Sequence, residues 1–128
     1  MKKNKSSIRL CIVSEKKPSY SETFIRSHIE LISKNTIFYY GKNFPCYDEY
    51  DELIVPKTLK LRERLLEKLS VKSAKKVISI SQVKAFKRLL QKNRVHAILA
   101  EYGQSGVNIK EVCRELKIPL IVHFHGFD

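Results

Sequence analysis

A chain of 128 residues with a 43% apolar share is of single-domain size and carries enough apolar side chains to bury a core. No apolar run approaches membrane-span length, and the basic residues 1–7 lead only into a six-residue segment (8–13) broken by Arg9, which excludes a signal peptide and points to the cytoplasm. The formal charge of +12 is regional: residues 57–92 hold twelve Lys or Arg against Glu63 and Glu67, and the remainder is nearly balanced.

Residues 8–14 read as a first strand. After a polar loop with Pro18, Ser19 and Glu22 stand at capping-box spacing, so a helix is expected to begin near Ser19 or Ser21. Phe24, Ile25, His28, Leu31 and Ile32 recur at helical spacing, and Lys34 and Asn35 close the segment. Residues 36–40 are a second strand stopped by Gly41. Residues 42–52 are irregular, with Pro45 and an acidic cluster, and 53–55 are either a short third strand or an apolar loop anchor.

Residues 58–70 read as a helix with Leu61, Leu65 and Leu69 on one side and Lys60, Arg62, Arg64 and Lys68 on the other. Ile80, Val83, Phe86, Leu89 and Leu90 mark a second amphipathic helix whose Lys84, Lys87, Arg88 and Lys92 are expected to be solvated. The last third predicts a strand from Val95 to Glu101, a helix from Gly103 to Lys117, and a strand from Ile118. Both apolar runs lack polar alternation, as strands covered on two faces do. Such a β-α-β unit builds a parallel sheet, so the fold class is α/β with flanking helices. Open α/β sheets bind ligands at the carboxyl ends of their strands, which here carry Glu101, Tyr102 and Gly103 after one strand and His123, His125, Gly126 and Asp128 after the other.

Two strand-to-helix turns, 19–23 and 102–106, offer unpaired N–H groups to an anion. GxGxxG and the P-loop pattern are absent, and Gly103 and Gly106 have close packing as a second reading. His123 and His125 share a face of a continued strand, but no carboxylate or cysteine stands at a matching spacing, so no metal is expected. His125 is the better cleft-facing candidate, because Gly126 marks the strand end and Asp128 is close. His28, near an apolar helix face, reads as a core or rim histidine, and His96 as exposed. Cys11, Cys46 and Cys113, odd in number and without CxxC spacing, read as buried reduced thiols. The basic region suits an anionic lipid surface, or is simply a solvated face. Nucleic acid is disfavoured, since only Phe86 interleaves the basic positions and it falls on the apolar stripe.

Residues 18–28, with Pro18, Ser21, Glu22, Thr23, Phe24 and Ile25, resemble the P-x-x-S-E-T-F-I segment of bacterial family 4 (group 1) glycosyltransferases of the GT-B fold. Residues 100–106 followed by 118–128 are similar to that family's A-E-Y-G-x-x-G … I-P-L-I-V-H-F-H-G-x-D segment. The resemblance implies a Rossmann-like parallel sheet with flanking helices, the acceptor-side half of a GT-B architecture. It implies transfer of a sugar from a nucleotide-sugar donor, with retention and without metal or cofactor, to a glycan or lipid-linked acceptor of the cell envelope or exopolysaccharide.

Carried over, Ser21, Glu22 and Thr23 would border the acceptor and donor phosphates; Glu101, Tyr102, Gly103, Gly106 and Gly126 would line the cleft; His125 and Asp128, as catalytic groups, would approach the transferred sugar. Lys84, Lys87 and Arg88 would face an anionic membrane at its inner surface. The family's donor domain, with its E-x7-E motif, would follow residue 128, so residues 1–128 read as a truncated N-terminal portion, inactive alone. The glycine pair of many relatives' first loop is missing at Lys16-Lys17-Pro18. Other classes that fit the residues are a non-catalytic flavodoxin-like binding module and a basic nucleic-acid-binding domain.

Overall fold

The computed structural model describes residues 8–20, 22–32, 35–55, 61, 65 and 80–126. Among them the elements run β1 (Leu10–Ser14), α1 (Thr23–Leu31), β2 (Thr36–Tyr40), β3 (Tyr47–Asp48), α2 (Ile80–Lys92), β4 (Ala97–Glu101), α3 (Gly103–Leu116) and β5 (Leu120–His123). The five strands form one sheet in the order β3-β2-β1-β4-β5. Every pairing is parallel except that of β2 with β3. The fold is a Rossmann-like α/β sheet: the alternating strand and helix patterns predict its parallel α/β class, and the Rossmann-like form is the one the resemblance implies.

Period-two alternation sorts the side chains between two layers. Leu10, Ile12, Phe38 and Leu99 point to one face, where Ile29 of α1 covers them. Cys11, Val13, Tyr39, Ile98 and Ala100 point to the other, against Phe86 and Leu90 of α2 and Ile109, Val112 and Cys113 of α3. Phe86 is fully buried and meets Tyr39 and Phe44 edge-on, with ring centroids 5.8 and 5.5 Å away. Burial pushes the Cys113 thiol up to about 11 and Cys11 higher still, so both are inert packing groups.

Several elements depart from the sequence reading. Helix α1 starts at Thr23, later than the capping box suggests, because Glu22 is occupied outside the helix. The third strand is Tyr47–Asp48, and residues 53–55 contribute only a bridge from Leu53 to Tyr47, with Val55 buried as an anchor. Asp48 Oδ1 accepts the N–H groups of Tyr50 and Glu52, closing the turn that brings Leu53 back. Ile80, expected on the apolar stripe of α2, is 73% exposed. Strand β5, the outermost described strand beside β4, is open on the α1 side at Ile121, which is more than half exposed. Of the expected helix over 58–70 only Leu61 and Leu65 are described, both helical and both exposed; the rest lies outside the described residues.

Candidate functional site

Sheet order changes direction at β1, with β2 on one side and β4 on the other. In open α/β sheets the ligand crevice opens at the carboxyl ends of the strands flanking such a switch, here Ser14 and Glu101. Glu101 ends β4 as a fully buried carboxylate, at a position where a charged side chain is tolerated only with partners.

Three histidines supply them. The register places Glu101 directly opposite His123 of β5, so both side chains leave the sheet on the α1 face. His123 Nδ1 lies 3.0 Å from Glu101 Oε2, and His125 Nε2, just past the strand end, lies 3.2 Å from the same oxygen. His28, descending from α1, meets Oε1 through its Nδ1. A carboxylate only accepts, so the ring nitrogens that face it carry the protons. The rings pack among aromatic neighbours. His125 sits 4.2 Å from the Phe24 ring, 4.5 Å from Tyr102 and 4.1 Å from His123, centroid to centroid.

A second carboxylate, Glu22, is tied to Tyr102, the residue after Glu101. Glu22 accepts from the Ser19 N–H at 2.8 Å, from Ser19 Oγ at 2.9 Å and from the Tyr102 hydroxyl at 2.7 Å, with Lys16 Nζ 3.5 Å away. Burial alone would raise its titration, but these hydrogen bonds, from the Ser19 backbone foremost, and the Lys16 charge prevail and hold the Glu22 carboxyl down at about 2. Tyr102 makes the link from a left-handed backbone, φ 72° and ψ 146°, that a side chain rarely adopts. Its N–H donates to the His123 carbonyl at 2.9 Å, which holds the turn between β4 and α3. Among the described residues, the hydroxyls of Ser14 and Ser105 are buried without a hydrogen-bond partner, one at the end of β1 and the other in the first turn of α3.

The other expected site residues divide. Thr23 is exposed at the start of α1, and Gly103 opens α3. Gly106 packs against β5: a Cβ there would lie 2.6 Å from Val122 Cγ2, so close packing, not cleft lining, requires this glycine. Gly126 is exposed, and a Cβ on it would meet nothing within 4 Å. Ser21 and Asp128 lie outside the described residues. Lys84 and Arg88 are exposed on α2, whereas Lys87, expected to be solvated, is half-buried in an ion pair with Glu115 of α3.

The sequence shows no carboxylate at a matching spacing from His123 and His125, yet the fold brings Glu101 to both. Local spacing could not reveal one that arrives from the neighbouring strand. His28, read as a core or rim histidine, is a full member of the group. The available signal was a glutamate closing an otherwise apolar strand, which demands partners, in a chain with four histidines. The fourth, His96, is exposed as expected and accepts the Arg9 N–H through Nδ1.

No helix among the described residues is long and apolar enough to cross a membrane. The class defined by fold and site is an open α/β domain with a carboxylate–histidine cluster at the ligand-binding end of its sheet. No family model, curated protein or solved structure matches the chain.

Proposed function

We propose that this chain is the acceptor-side portion of a retaining glycosyltransferase, one that moves a sugar from a nucleotide-sugar to a cell-envelope or exopolysaccharide acceptor. The observation that carries the reading is convergence. The two segments that resemble the family, far apart in sequence, meet through Glu22 with Tyr102 and through His28, His123 and His125 with Glu101, at the carboxyl end of the sheet. In this reading Glu101 is a positioning residue: it fixes ring orientation and proton placement of His125, whose imidazole is braced by Phe24 and Tyr102. The N-terminus of α3, where Gly103 begins the helix, carries the positive end of the helix dipole and favours an anionic substrate group beside it. Lys84 and Arg88 are the cations open to an anionic lipid surface at the inner face of the membrane.

The test is a titration of the isotopically labelled chain, followed by amide NMR, with nucleotide-sugars, soluble acceptor glycans and a DNA oligonucleotide. Glycan-induced shifts at Glu22, Tyr102, Gly103 and Gly126 are expected. Shifts produced only by DNA, centred on Lys84 and Arg88, would replace this reading with a nucleic-acid-binding one. Residues 1–128 alone are expected to transfer no sugar, and detectable transfer would overturn the acceptor-side assignment.

A further inference from the structure

We propose that His28, Glu101 and His123 form a binding site for a divalent transition-metal ion of the zinc type. The inference does not rest on the glycosyltransferase reading, because it follows from the donor atoms alone. One ligand atom from each of the three residues lies within 4.8 Å of the other two. A tetrahedral zinc ion, with bonds of about 2.0–2.2 Å, holds its ligand atoms roughly 3.3–3.6 Å apart. The three donors are thus gathered at nearly the required spacing by two adjoining strands and a helix.

The donor set narrows the metal. Two imidazoles and one carboxylate match zinc and its first-row neighbours; magnesium and calcium favour all-oxygen sets, and copper(I) favours sulfur. Three protein ligands leave a fourth position open, as in zinc sites that bind water or substrate. Exposure agrees with an open site: the Glu101 side chain is 0% exposed, whereas His28 and His123 are 26% and 41% exposed. The carboxylate forms the floor and the imidazoles the mouth.

Electrostatics favours the ion as well. A buried carboxylate is neutralised more completely by a divalent cation than by N–H dipoles. His125, donating to Oε2 at 3.2 Å and wedged between Phe24 and Tyr102, would hold the carboxylate in place when the other two imidazoles turn their Nδ1 lone pairs to the metal. Binding at Nδ1 moves the proton of a neutral His28 or His123 ring to its Nε2, and a ring protonated on both nitrogens gives one proton to the buffer, so proton release grows as the pH of the titration falls.

The experiment is calorimetric titration of the metal-free 128-residue chain with zinc chloride, repeated in buffers of different ionisation enthalpy. One zinc per chain is expected, and its heat should depend on the buffer more strongly in acid than in alkaline solution. His28→Gln and His123→Gln should each weaken binding by about 100-fold, and His125→Ala by roughly tenfold, whereas His96→Ala and Cys46→Ser should leave it unchanged. Absence of binding, binding that survives the His28→Gln/His123→Gln double variant, or loss in Cys46→Ser would each overturn the site. Imidazole proton NMR of the unmodified chain decides the question without a variant. Zinc should shift the ring protons of His28 and His123 and not those of His96, and a shift confined to His96 would refute the proposal.

Discussion

Replacing Gly106 with alanine sets two effects of known sign against each other. Alanine in place of glycine inside a helix ordinarily stabilises by about 1 kcal/mol through the unfolded chain's lost freedom. At this position the new Cβ would stand 2.6 Å from Val122 Cγ2 and 3.3 Å from Cγ1. Valine offers no flexible end to swing aside, because both contacting atoms are fixed by a stiff χ1. Its backbone is held as well, registered opposite Ala100 of β4. Overpacking costs about 1–3 kcal/mol, and a contact this short belongs to the upper part of that range, about 2–3 kcal/mol, so Gly106→Ala should lose a net of about 1–2 kcal/mol. Urea unfolding should show a lower midpoint at unchanged slope. Val122→Ala alone should cost about 1–2 kcal/mol, since the side chain is half-buried. In that background Gly106→Ala should become stabilising, giving a coupling energy of about 2 kcal/mol. A Gly106→Ala protein as stable as its parent with Val122 intact would refute the reasoning.

Gly41→Ala should be worse, at least about 3 kcal/mol, because its Cβ would lie 2.1 Å from the Phe44 carbonyl oxygen and 2.9 Å from the Cys46 nitrogen, backbone atoms with nowhere to go; soluble yield and urea midpoint check this. Phe86→Ala should cost about 3–5 kcal/mol, a large part of the roughly 5–15 kcal/mol available to a domain, and calorimetric melting measures it. Glu22 titrates at about 2 in the folded chain against 4.5 ordinarily, so its contribution is complete above about pH 4.5 and fades as the pH falls through 2. That contribution is about 2–3 kcal/mol, and Glu22→Gln should flatten the acid limb of urea midpoint against pH; parallel limbs for variant and parent would contradict the assignment.

Legibility in the sequence followed the range of the interaction that fixes each element. Residues 36–40 and 97–101 form strands as their apolar runs require, since local pattern and burial agree there. The start of α1 was misplaced because Glu22, three residues from Ser19, also accepts from Tyr102, eighty residues away, which no local motif encodes. Strand β3 is too short for any period and depends on the Asp48 side chain closing its turn. Of the site, the strand ends and His125 were readable, and the partnership of His28 with Glu101, separated by 73 positions, was not.

The strained residue at the end of β4 explains how two consecutive side chains come to serve one cluster. In a regular strand Glu101 and Tyr102 would leave on opposite faces. Glu101 keeps the face set by Ala97 and Leu99, the face of α1. The left-handed φ of Tyr102 breaks the alternation and lets its ring reach Phe24 and His125 and its hydroxyl reach Glu22, all on that same side. Such a backbone costs on the order of 1–3 kcal/mol, and it persists where surrounding contacts over-determine it. Here the N–H bond to the His123 carbonyl, the hydroxyl bond to Glu22 and two ring contacts do so. Two of those contacts, to the His123 carbonyl and to the His125 ring, also order members of the carboxylate–histidine group. The strain at Tyr102 and the geometry around Glu101 are therefore one feature, and loosening either should loosen the other.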